Sequence, residues 1–216
     1  MGAALDHVIV FCNPGAPEGD ALVRAGLREG SRNAHPGQGT ANRRFFFENA
    51  YLELLWVADE VEARSALASP ARLWERWAGR DGECCPFGIV LRPDGTPRPP
   101  FETEPYRPPY LPPGLAIDIA VGTPLTEPAY FHLGFARPRA VGRIEPTDHD
   151  VAARSIHGIR VDRPGTEPLS DAGRALEAAG VLTFASSRPW LLELVFDRAG
   201  HDVLDLRPEL PLALRF

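Results

Sequence analysis

The chain has 216 residues, a net charge of -6 at pH 7, 44% hydrophobic residues and 24% charged residues. Such a length and balance suit a globular protein with a sizeable core, and the acidic excess argues against nucleic acid, whose phosphates need clustered cations. All 23 basic residues are Arg, which excludes a lysine Schiff base and a P-loop lysine.

Residues 5–11 read as a short buried strand. Asn13-Pro14-Gly15 reads as a turn. Leu22, Val23 and Leu27 recur at helical spacing, so a helix is predicted over 18–29 with Gly30 at its C-terminus. Residues 31–40 are rich in turn formers and read as a loop. Two strands over 42–48 and 51–57 follow, as a hairpin turning at Asn49-Ala50. Short helices are predicted over 60–67 and 71–77, and a strand over 87–91. Residues 93–113 are Pro-rich and extended, and Phe101, Tyr106 and Tyr110 predict that this stretch is strapped onto the core. Strands over 115–121 and 130–135 precede a polar loop over 137–154.

The C-terminal part opens with a strand over 156–161. A helix capped by Ser170 runs to Ala179, with Gly180 behind it. A short strand over 181–184 and a hairpin of 191–196 with 202–206 complete it. The tail from Pro208 to Phe216 is apolar and either extends the last strand or docks on the sheet.

The element order is written twice, in residues 1–58 and 155–216, with residues 59–154 between them as a Pro-rich insert, all in one compact unit. Each half opens with a histidine at a strand start, His7 or His157, and ends with a carboxylate after a Phe-acid-polar-Ala turn, Glu53 or Asp205. Pseudo-twofold packing of the halves would gather the four as a mononuclear metal site. A carboxylate inside Leu52-Glu53-Leu54-Leu55 is costly to bury without a partner. Glu193 is a rival acid in the second half, and Asp205 has a local salt-bridge role open to it with Arg207.

Three segments carry a family likeness: Leu5-Asp6-His7-Val8-Ile9-Val10, His35-Pro36-Gly37-Gln38-Gly39-Thr40-Ala41-Asn42 and Tyr51-Leu52-Glu53-Leu54. With them the chain resembles the vicinal oxygen chelate superfamily, and within it the glyoxalase-like domain proteins. The resemblance implies an α+β fold in which two βαβββ modules form a cupped mixed sheet. It implies His7, Glu53, His157 and Asp205 as ligands of a divalent metal, with Mn, Fe, Ni, Co or Zn suited to such donors. A metal-dependent lyase, isomerase or dioxygenase acting on a small molecule with neighbouring oxygens is then expected, with Glu53 or Asp205 as base. His35 is expected to act on the substrate as acid or base, against a plain turn role before Pro36. Gly37, Gly39, Thr40 and Asn42 read as structural. The alternative is a metal-free protein of the same fold that binds a small molecule or sequesters an antibiotic.

No apolar run reaches the roughly 18 residues of a membrane helix, and Met1 to His7 hold no basic stretch. A cytoplasmic protein without a membrane partner is expected, with a homodimer through the insert or a sheet edge left open. Cys12, Cys84 and Cys85 lack zinc-knuckle spacing and read as buried thiols.

Overall fold

The structure is a computed structural model describing residues 3–95, 98–137, 145–196 and 202–216. The expected turn after residue 196 lies outside the described residues, as do residues 96–97 of the Pro-rich stretch and 138–144 of the polar loop.

The first unit is β1 (Ala3–Phe11), α1 (Gly19–Arg24), β2 (Asn33–His35), β3 (Thr40–Phe46) and β4 (Tyr51–Val57). The helix is shorter than its apolar spacing predicts, because Gly26 turns the chain at φ +96°. Two short helices follow, α2 (Glu60–Ala63) and α3 (Leu73–Ala78). Then come β5 (Phe87–Pro93), β6 (Thr103–Tyr106), β7 (Ile117–Ala120) and β8 (Ala129–His132).

Among the described residues these eight strands make one sheet in the order β2-β3-β4-β1-β5-β8-β7-β6. The order is a pseudo-twofold. The strands β1 and β4 run parallel, as do β5 and β8, and the halves join through antiparallel β1 and β5. The cupped mixed sheet of the expected α+β fold is therefore present, but residues 87–132 complete it, not residues 155–216. The physical reason lies in burial on both faces. Phe87 to Leu91 is continuously apolar and fully buried, as a central strand covered above and below must be. The β9 strand (Ile156–Arg163) alternates between buried and exposed residues and suits a sheet with one wet face.

Residues 156–216 make their own sheet from β9, β10 (Thr183–Ser186), β11 (Leu191–Phe196), β12 (Val203–Asp205) and β13 (Leu212–Arg215), with α4 (Asp171–Ala178) after β9. Ser170 caps α4 as expected, its Oγ accepting from the Gly173 N–H at 3.1 Å. The expected hairpin of residues 191–196 with 202–206 does not form. The order is β10-β9-β11-β13-β12, so the tail strand β13 lies between them. Leu212, Ala213 and Leu214 are buried and take the interior place, which leaves Val203 to Asp205 at the edge.

One core joins the sheets. Val8, Val10, Leu52, Leu54, Ile89 and Leu91 of the large sheet meet Val161, Leu192, Leu194, Leu212 and Leu214 of the small one, with Leu22 of α1 and Leu176 of α4. Each such side chain contributes about 1.5–3 kcal/mol on burial. A second cluster covers the opposite face of the large sheet, where Ile9, Leu55, Val90 and Phe131 pack near Ala71 and Leu73. This face is the floor of the cup. No helix among the described residues is long and apolar enough to cross a membrane.

Candidate functional site

Strand parity brings the first two expected residues together. In the parallel pairing of β1 and β4, His7 lies beside Tyr51 and Ile9 beside Glu53, so His7 and Glu53 are diagonal neighbours on the cup face. Both are buried, at 7% and 4% exposure. The His7 imidazole donates from Nε2 to Glu53 Oε2 at 3.2 Å and from Nδ1 to Asp6 Oδ1 at 2.7 Å. Tyr51 stacks on its face at 4.3 Å between ring centroids. Asn42, two strands over from His7, donates through its side-chain amide to Glu53 Oε1.

The electrostatics follow from this arrangement. Burial pulls the His7 pKa down, but the hydrogen bonds to Asp6 and Glu53 and their negative charges more than reverse it, raising it to about 9. Burial pushes the Glu53 carboxyl up, and the hydrogen bond and charge of His7, with His35 and Asn42, bring it below its ordinary value. At neutral pH the pair is imidazolium and carboxylate. His35 behaves differently. Its pKa is lowered by burial, only partly offset by the charge of Glu53. A neutral ring fits its contacts, with Nδ1 and Thr40 Oγ1 hydrogen-bonded at 2.9 Å.

These side chains line a cavity of about 210 Å³. Its polar wall is His7, Glu53, His35, Gln38 and Tyr51, and its apolar wall includes Val90, Ile117, Phe131 and Leu133. The Pro-rich strap adds Tyr106, Tyr110 and Leu111 to the wall. Tyr110 lies 4.8 Å from the His35 ring, and the Tyr106 hydroxyl donates to Gln38 Oε1 at 3.1 Å. The His-Pro-Gly turn is shaped for this fit. Gly37 sits at φ +78°, where a Cβ would come within 2.7 Å of Pro109.

The second expected pair is not at this site. His157 is an exposed residue of β9 in the small sheet, at an irregularity in its pairing with β11. Asp205 stands on an edge strand with its side chain 43% exposed, paired to Arg207 at 2.5 Å. Glu193 is paired with Arg215 at 2.8 Å. What faces His7 across the pseudo-twofold is Val90, its register partner on β5, with Phe131 alongside on β8. Among the described residues no three His, Cys, Asp or Glu side chains converge to hold a metal. His7 and Glu53 are directed at one another, and the opposite wall offers carbon. The donors present do not fit the four-ligand divalent site that the resemblance implies.

Sequence reasoning missed Asp6, the residue that orients His7, although its adjacency was visible. Asn42 has its expected loop role, with Oδ1 accepting from the Asn33 N–H at 2.9 Å, and also the unexpected one of holding Glu53. Tyr106 and Tyr110 were legible as packing aromatics, and not as walls of the site.

Residues 5–98 match a family described as a glyoxalase-like domain. The fold of the whole chain is similar to the crystal structure of a hypothetical protein from Staphylococcus aureus, with a TM-score of 0.52 at 9% identity, covering 99% of this chain and 98% of that one. No curated protein matches the chain.

Proposed function

We propose that the chain, whose residues 5–98 match the glyoxalase-like domain family, binds a small amphipathic molecule in the cup and does so without a resident metal. The observation that carries this reading is the asymmetry of the cavity, with a buried His7–Glu53 ion pair on one wall and Val90, Phe131 and Leu133 on the other. A ligand donor gives a hydrogen bond to the Glu53 carboxylate, whose oxygens keep spare lone pairs, while His7, with both N–H groups committed to Asp6 and Glu53, holds that carboxylate ionised and in place. The ligand's apolar body lies against the carbon wall, which discriminates by shape. His35, whose pKa burial lowers, is neutral at pH 7 and so has one ring nitrogen able to accept a proton. It would remove or return a proton if the bound molecule is also turned over.

The test has two arms. Protein purified without chelator or affinity-tag metal is analysed for bound elements before and after exposure to Mn, Fe, Ni, Co and Zn. A small-molecule fragment set is then screened by ligand-observed NMR against wild type and Glu53→Gln. The reading expects no stoichiometric metal, and fragments with a polar head and an apolar body that lose binding in the variant. Near-stoichiometric metal that disappears in Glu53→Gln would sink it.

A further inference from the structure

A second cavity, of about 370 Å³, lies beyond Ala71 and Phe131, which it shares with the cup as wall. It is bounded by the start of α3, the end of β7 and its turn, and β8. Arg76 lines it and is only 3% exposed. Its guanidinium donates from Nη1 to the Glu127 carbonyl at 2.5 Å and from Nη2 to the Pro124 carbonyl at 3.2 Å. Both acceptors are neutral, and no carboxylate among the described residues lies within ion-pair distance of it. A buried cation with only carbonyl partners leaves most of its charge uncompensated.

The neighbouring acidic groups do not supply that compensation. Glu127 is fully buried, and its carboxylate is taken up by the Ser170 N–H at 2.6 Å, the Ser170 hydroxyl at 2.7 Å and the Tyr130 hydroxyl at 3.1 Å. Burial pushes the Cys85 thiol up to about 12 and the Tyr130 hydroxyl higher still, so both stay neutral. A second guanidinium, that of the exposed Arg72, lines the same cavity, and its like charge bears on Arg76. Glu104, exposed, is the acid at the cavity wall.

We propose that this second cavity binds a small molecule through an oxyanion, a carboxylate or phosphoryl group, held by Arg76 and Arg72. A guanidinium presents a planar fork of N–H donors that matches either group. The two Arg residues gain a shared counter-charge, since neither forms an ion pair among the described residues and Glu104 at the wall pairs with neither. The site does not depend on the chemistry of the His7–Glu53 cup.

Titrating wild type with inorganic phosphate and separately with acetate, at ionic strength held constant with sodium chloride, tests this by calorimetry. Saturable binding of at least one anion is expected, and the tighter of the two names the group. Arg72→Gln, an exposed change that leaves the core alone, weakens binding about tenfold through loss of a charged donor. Glu104→Gln tightens it about threefold by removing the like charge. Arg76→Met abolishes it, and replaces a buried cation by an apolar chain of similar length, a change that buried sites often tolerate. Failure of wild type to bind either anion saturably overturns the proposal, as does binding that Arg72→Gln leaves unchanged.

Discussion

Replacing Glu53 by Gln keeps the side chain's shape and removes its charge, and the structure sets the size and sign of the result. In the wild type, burial disfavours the His7 imidazolium, and Asp6 and Glu53 together lift its pKa from 6.5 to about 9. That rise corresponds to about 3 kcal/mol, at about 1.4 kcal/mol per tenfold change in proton affinity. The folded chain binds this proton more tightly than the unfolded one. The contribution is therefore fully present below pH 6.5, declines from there, and is gone above about pH 9. Glu53 acts with the opposite sign. Its folded pKa lies below 4.5, so its contribution is present above pH 4.5 and is lost as pH falls through the folded value. The pair stabilises most between about pH 4.5 and 6.5. In Glu53→Gln only Asp6 still lifts His7, so the variant loses about 2–3 kcal/mol at pH 6 and much less at pH 9.5. Denaturant unfolding of both proteins from pH 6 to 9.5, with NMR titration of the His7 ring, measures this. A wild-type His7 that titrates at or below 6.5, or stability curves that run parallel in the two proteins, would refute the reasoning.

Asp205→Asn and His157→Gln leave fragment binding in the cup unchanged, and the exposed Asp205–Arg207 pair makes the first cost at most about 1 kcal/mol, read by thermal unfolding. Gly39→Ala destabilises by about 1–3 kcal/mol, because φ is +73° there and the added carbon meets the Asp59 carbonyl and the Ala63 amide. A Gly39→Ala stability equal to wild type would contradict that turn. Ser170→Ala removes the cap of α4 and one donor to the buried Glu127, and costs about 1–2 kcal/mol in chemical denaturation.

Much of this arrangement was readable from residue patterns. Alternation in Tyr51-Leu52-Glu53-Leu54-Leu55 puts Glu53 on one face with Tyr51 and Leu55. Adjacent parallel strands then make His7 and Glu53 neighbours. The cap at Ser170 was equally local, since one hydroxyl and the N–H three residues on define it.

What the patterns left open was which strands share a sheet. Residues 155–216 copied the element order of the first unit, whereas residues 87–132, which have no helix between β5 and β6 among the described residues, read as part of the insert, and element order is a one-dimensional signal. The choice was made by burial on two faces. The unbroken apolar run Phe87-Gly88-Ile89-Val90-Leu91 is stable only at the centre of a covered sheet, while Ile156 to Val161 keeps polar residues on a wet side. That choice put Val90 and Phe131, and not His157 and Asp205, opposite His7 and Glu53. The chemistry of the polar wall thus belongs to short-range strand parity, and the apolar character of the wall facing it to long-range pairing, which local spacing does not encode.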